Sequence, residues 1–114
     1  MYEVHYLNPI SNVGTALWTE NYCTSESMDS ANAIMVRSAA MHDLSFSNNL
    51  LAIARAGAGV NNIPLDRCAQ EGIVVFNTPG ANANGVVELA LCGLLLGSRD
   101  IVDGINWVQT IKDD

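Results

Sequence analysis

Four short apolar runs constrain this chain more than any other feature: YEVHYL at Tyr2–Leu7, AIMVRS at Ala33–Ser38, LLAIAR at Leu50–Arg55 and GIVVFN at Gly72–Asn77. Each is the length of a strand and rich in residues that suit a pleated surface. The stretches between them have helical potential, and strands alternating with helices imply a parallel sheet, because strands of like direction need a long crossover between them. Helices are expected at Val13–Trp18, Met28–Ala33 and Leu65–Gln70, with a weaker signal at Asp43–Asn49. Pro64 places the start of the third, since its fixed φ suits a first helical turn and its missing N–H forbids an interior one. Gly72 stands where a C-terminal cap would end it. The expected class is α/β, a parallel sheet flanked by helices.

Composition excludes several functions. A chain of 114 residues supports a real core but is at most one domain. The formal charge is -7, with one lysine and four arginines, which argues against a nucleic-acid partner. The longest apolar run, Val86–Gly97, is interrupted by Glu88 and falls short of the roughly 20 residues a membrane span needs. The amino terminus shows no basic stretch followed by an apolar core and a cleavage site, so no signal peptide is expected. Cys23, Cys68 and Cys92 are odd in number and set in apolar contexts, and read as reduced core residues of a cytoplasmic protein.

In a chain this poor in cations, Arg37 and Arg55 each fall at the carboxyl end of an expected strand, and Asn77 ends a third. Ligands of open parallel sheets bind outside those ends. Arg37, Ser38, the amides of Gly57 and Gly59, and Asn82 would together suit a small anion. The glycines belong to the stretch ARAGAGVNN, Ala54–Asn62. A dinucleotide fingerprint would need a third glycine where Asn62 stands, so that reading is poor. The plainer alternative is that Gly57 and Gly59 only supply unusual backbone angles in a strand-to-helix turn. His5 reads as a packed histidine of the first strand and His42 as a loop residue. Asp100, Asp103, Asp113 and Asp114 read as solvated charges, and no cluster has metal-ligand spacing.

From about Gly85 to Val108 the chain is apolar nearly all round a helix, with Glu88 placed to help cap its start. Such a helix has to be covered. A single sheet covers one stripe of it, so the remainder is expected to meet another domain or another subunit.

Three stretches carry a family resemblance: VRSA at Val36–Ala39, RAGAGVNNIPLD at Arg55–Asp66 and GIVVFNTPGANANGVVEL at Gly72–Leu89. They resemble the amino-terminal part of the phosphoglycerate dehydrogenases within the D-2-hydroxyacid dehydrogenase family. The likeness extends through the opening LNPIS and the closing INWVQ. It implies a flavodoxin-like substrate-binding portion over residues 1–84. Residues 85–114 would then be a linker or interface helix leaving that portion, toward a nucleotide-binding domain beyond the chain, which would carry the pyrophosphate fingerprint and bind most of the NAD. The family's catalytic arginine, histidine and carboxylate would also lie beyond it, so the 114 residues by themselves are expected to be inactive.

The resemblance also implies roles for particular residues. Arg37 and Ser38 would hold the substrate, expected to be 3-phosphoglycerate on the route to serine. Gly57 and Gly59 would lie beside its carboxylate, and Asn82 would be a further contact. Ala58 stands where relatives often have a threonine that touches the cofactor, which would leave only backbone or packing contact there. The helix beginning near Gly85 would join a homodimer or higher homo-oligomer. Alternatives are another D-2-hydroxyacid dehydrogenase with an unphosphorylated substrate, or a non-catalytic module that binds or senses a small anion.

Overall fold

The computed structural model describes residues 1–113, and the chain divides into two compact units, Met1–Pro79 and Gly80–Asp114. The first contains β1 (Tyr2–Tyr6), α1 (Asn12–Thr15), β2 (Tyr22–Ser25), β3 (Ala33–Val36), β4 (Ala52–Arg55), α2 (Leu65–Gln70) and β5 (Val74–Phe76). All five strands are parallel, in the order β2-β1-β3-β4-β5. This is the doubly wound order of flavodoxin-like sheets, and its direction of winding reverses between β1 and β3.

Register and alternation determine which face is packed. Ile34 lies opposite Ile53 across β3 and β4, and both are fully buried with Val36. Met41, Leu50, Ile63, Cys68 and Ile73 complete that core. Burying an Ile side chain contributes roughly 1.5–3 kcal/mol, so Ile34 and Ile53 are the chief anchors of the layer. On the opposite face the rows Ala33–Ala52–Val74 and Met35–Ala54–Phe76 stay partly or largely uncovered.

The α2 expectation is met residue for residue, for the reasons given by its ends. The helix begins directly after Pro64. At the other end Gly72 takes φ +73, the left-handed conformation that favours glycine. Its N–H reaches the Ala69 carbonyl at 3.3 Å, and the Ile73 N–H reaches the Cys68 carbonyl at 2.8 Å. This paired capping motif turns the chain from helix into β5 and buries Ile73.

Other expectations are corrected. Met28–Ala33 and Asp43–Asn49 are not helices but turns and irregular chain, Ala33 already belonging to β3. In each a serine hydroxyl intercepts the amide two residues on, Ser27 Oγ for Asp29 and Ser47 Oγ for Asn49, both at 3.2 Å. That local bond competes with a helical turn. The first helix is shorter than Val13–Trp18, ending at Thr15. Strand β2 was not expected at all. His5 is half-buried outside the main core cluster, with Nδ1 3.0 Å from the Ser25 carbonyl of β2.

The second unit contains α3 (Ala83–Ser98) and α4 (Ile101–Ile111) in place of one continuous helix from Gly85 to Val108. The break falls at Arg99 and Asp100, where Asp100 adopts φ 52. Glu88 does not cap the helix start: it lies too far along the first turns and accepts from Asn84 Nδ2 at 3.0 Å. The apolar side chains of α3 are spread round the helix, whereas those of α4 gather toward one face, so the all-round pattern holds for α3 only. Leu89 is 74% exposed and Leu94 70%. Among the cysteines Cys68 is buried, but Cys23 is half-buried and Cys92, on the open surface of α3, is exposed, so only the first is a core residue. Asp100, Asp103 and Asp113 are exposed as expected, and Asp114 lies outside the described residues. Among the described residues no helix is long and apolar enough to cross a membrane.

Candidate functional site

The carboxyl ends of β1, β3 and β4 converge where the sheet reverses its winding, which is the position such sheets use for ligands. Residue Asn8 follows β1, Arg37 and Ser38 follow β3, and the glycine turn follows β4. The loops are fastened to one another. Ala56 N–H donates to the Val36 carbonyl at 2.8 Å, Met41 N–H to the Asn62 carbonyl at 2.9 Å, and Asn62 Nδ2 to the Ala39 carbonyl at 2.8 Å. His42 is the loop residue expected of it, exposed, with Nε2 2.9 Å from the Asn61 carbonyl.

The three arginines of this unit are used differently. Arg67 donates to Glu71 at 3.0 Å and to the Leu44 carbonyl at 2.7 Å, and its guanidinium stacks 4.0 Å from the centre of the Phe46 ring. It staples the loop after β3 to α2. Arg55 turns back under the glycine turn, donating Nε–H to the Arg37 carbonyl at 2.9 Å. Arg37 is exposed, and its guanidinium has no hydrogen bond, ion pair or ring contact among the described residues. Among the described residues it is the arginine of this unit whose side chain stays free.

Arg55 also accounts for the glycines, and the account differs from the one based on unusual backbone angles. Neither Gly57 nor Gly59 has a positive φ. A Cβ on Gly57 would instead lie 3.0 Å from Arg55 Nη1, and one on Gly59 3.3 Å from the same atom. Side-chain-free positions let the guanidinium pass beneath the turn. The turn is held from β5 by Thr78 N–H to the Gly57 carbonyl at 3.0 Å and by Asn77 Nδ2 to the Ala58 carbonyl at 2.7 Å. Of the two glycine amides expected as anion donors, Gly57 N–H is committed to the Arg55 carbonyl at 2.9 Å. The N–H groups of Ala58 and Gly59 have no acceptor among the described residues. Beside them opens a cleft of about 730 Å³ whose lining includes His42, Gly59, Val60, Asn61 and Pro64.

Arg37, Ser38, Gly57, Ala58 and Gly59 thus share one edge of the first unit. Asn82 belongs to the second unit, where it occupies the N-cap of α3 without a side-chain capping bond. Sequence reasoning missed Asn8, whose side-chain oxygen accepts the backbone N–H groups of Arg37, Ser38 and Ala39 at 2.8, 3.1 and 3.2 Å. The only signal for it was an asparagine directly after an expected strand. No group of His, Cys, Asp and Glu suited to a metal ion occurs among the described residues.

The fold defines an α/β domain of the flavodoxin-like kind, with a partner-free arginine side chain at the switch in strand order. The family model of the D-isomer specific 2-hydroxyacid dehydrogenase catalytic domain matches residues 7–110, and the chain belongs to that family. It is 36% identical over 115 residues to a hydroxypyruvate reductase of Thermotoga maritima, covering 88% of this chain and 38% of that protein. It is 42% identical over 83 residues to a D-3-phosphoglycerate dehydrogenase of Archaeoglobus fulgidus, covering 70% of this chain and 16% of that one. Among solved structures it is similar to a 3-phosphoglycerate dehydrogenase of Entamoeba histolytica with NAD+ bound, with a TM-score of 0.67 and 26% identity over 84% of this chain and 39% of that chain. The chain therefore spans well under half the length of these relatives.

Proposed function

We propose that the chain is the substrate-binding portion of an NAD-dependent D-3-phosphoglycerate dehydrogenase, which oxidises 3-phosphoglycerate to 3-phosphohydroxypyruvate for serine synthesis. The observation that carries the reading is the division of labour among the arginines. Arg55 and Arg67 are bound to the protein, while Arg37 stands free at the strand switch, followed in the chain by Ser38. Arg37 and Ser38 hold the phosphate, and the free amides of Ala58 and Gly59 face the carboxylate end. Ala58 supplies backbone and packing contact to the nicotinamide side, and Asn82 adds a substrate contact. NAD supplies the hydride acceptor and is held mainly by other parts of the enzyme. In this reading the 114 residues bind and orient substrate and have no dehydrogenase activity by themselves. A cytoplasmic location goes with it, as does a homodimer or higher homo-oligomer formed through α3 and α4.

A second reading, an unphosphorylated hydroxy acid as substrate, is favoured by the larger share of this chain, 88%, that matches the Thermotoga hydroxypyruvate reductase. One kinetic experiment on the full-length enzyme separates the two. A charge-assisted hydrogen bond contributes roughly 1.5–3 kcal/mol, so Arg37→Ala should lower kcat/KM for 3-phosphoglycerate by about 10- to 150-fold. Turnover of glycerate, which lacks the phosphate, should change little. If the contact is equal in ground and transition states, the loss appears mainly in KM. Equal losses on both substrates, or no loss on phosphoglycerate, would overturn the assignment of the phosphate to Arg37. An enzyme that prefers glycerate outright would establish the second reading.

A further inference from the structure

The Asn8 side chain occupies an unusual position for a neutral group. Three successive backbone amides, those of Arg37, Ser38 and Ala39, converge on its Oδ1 at 2.8, 3.1 and 3.2 Å. Consecutive N–H groups aimed at one point form a nest, the backbone geometry that ordinarily receives an anion. Here the nest is filled from within the chain, by a residue 29 positions before Arg37. The ladder between β1 and β3 leads up to it, Leu7 N–H donating to the Met35 carbonyl at 3.0 Å. Asn8 thus bridges the switch in strand order where the winding reverses. The fastenings of Arg37 and Ala39 to the chain after β4 grip their carbonyls: Arg55 Nε takes the Arg37 carbonyl, and Asn62 Nδ2 that of Ala39. Asn8 alone among the described residues grips the amides of Arg37 and Ser38.

The three donors decide which atom of the side chain faces them, because an NH₂ group could accept none of them. They also make a carboxylate the stronger partner there, since ionised acceptors form shorter and stronger bonds than amides. An aspartate at position 8 would therefore hold the loop at least as well. It would also place a negative charge against the backbone nitrogen of Arg37, the residue whose guanidinium is free, in a chain whose net charge is already -7. A neutral acceptor fixes the loop and leaves the positive potential of Arg37 intact.

We infer that Asn8 is a positioning residue for the anion site, and that its lack of charge is what keeps a site built on an anion-receiving nest open to the substrate's own anion. The inference rests on the assignment of Arg37 and Ser38 to that anion. It separates two properties that a purely structural asparagine would keep together, loop stability and anion affinity.

The experiment compares Asn8→Asp, Asn8→Ala and Arg37→Ala in the full-length enzyme, measuring unfolding midpoints and steady-state kinetics with 3-phosphoglycerate. Asn8→Asp should unfold at or above the wild-type midpoint, yet raise KM by about tenfold, by more than kcat falls. That rise should shrink as salt is added, because charge–charge interactions near a protein surface are screened by ions. Asn8→Ala should lower the midpoint and raise KM without that salt dependence, since it leaves three amides unpaired and adds no charge. A wild-type KM for Asn8→Asp at low salt, in the same preparation series where Arg37→Ala raises KM, would overturn the inference and spare the site. An Asn8→Asp protein that unfolds would overturn it equally, because the nest would then not tolerate a carboxylate. If Arg37→Ala leaves KM unchanged, the anion site itself is misassigned and the inference falls with it.

Discussion

Replacing Gly57 with alanine tests whether the glycine turn exists to make room for Arg55. The added Cβ would sit 3.0 Å from Nη1, closer than ordinary van der Waals contact, so the guanidinium must give by a few tenths of an ångström. Because that group is planar and rigid, the shift draws Nε with it and lengthens and bends its 2.9 Å bond to the Arg37 carbonyl, weakening it. A hydrogen bond from a charged group contributes about 1.5–3 kcal/mol, and partial exposure of Arg55 reduces that to about 1–2 kcal/mol. In an Arg55→Ala background there is nothing left to displace. The same Gly57→Ala change should then be neutral or stabilising by about 0.4–1 kcal/mol, since a residue without positive φ accepts alanine and the unfolded chain loses freedom. The assay is a double-mutant cycle of urea unfolding followed by circular dichroism; the unfolded-state gain is common to both backgrounds and cancels, so the expected coupling is the weakened hydrogen bond, up to about 1–2 kcal/mol. An equal cost for Gly57→Ala in both backgrounds would refute the steric account and return the glycine to some other role.

Two further outcomes follow from the second unit and from the core. Leu91 and Leu95 are both 55% exposed on α3, so the wild-type chain should self-associate in light scattering, and Leu91→Glu with Leu95→Glu should shift it to monomer; a wild-type chain that stays monomeric over a wide concentration range would sink the interface. Burial pushes the Cys68 thiol above its ordinary pKa of 9.0, with the neighbouring Arg67 opposing more weakly, so the folded state holds that proton more tightly than the unfolded one. Stability should accordingly fall as pH rises from about 9 toward the folded value, and thiol reagents should modify exposed Cys92 well before Cys68; prompt labelling of Cys68 in the folded chain would contradict its burial.

The parts legible in the sequence were those where the apolar pattern and the backbone signals agree. Runs such as AIMV and LLAI hold the residues that pack the core, and Pro64 with Gly72 bracket α2. Strand β2, Tyr22–Ser25, escaped because it is a sheet edge of four residues with no buried position to give it an apolar signature. The two helices that did not form share a cause visible only at the level of single atoms, a serine hydroxyl placed two residues before an amide it can capture. Gly97, whose carbonyl accepts the Arg99 and Asp100 amides, stands two residues before the break between α3 and α4, but the left-handed residue there is Asp100, which the apolar pattern running on to Ile101 did not announce. At the site, strand-end position put Arg37 and Arg55 on an equal footing. What separates them is where each guanidinium goes, which depends on bonds to residues 18 or more positions away. Asn8 was hidden for the same reason.

A sheet whose strands all run one way visits its chemical edge once per crossover and then leaves it. Asn8, Arg37 and Arg55 reach that edge on three separate passes, 29 and 18 residues apart. No single peptide cut from this sequence carries the constellation, and an antibody raised against the intact edge should see a discontinuous epitope that vanishes on denaturation. The opposite edge bears no such obligation. Loops there, such as the one entering β2 at Glu20 and Asn21, are the places where the chain could be reopened, lengthened or joined to new termini while the passes across the chemical edge stay in register.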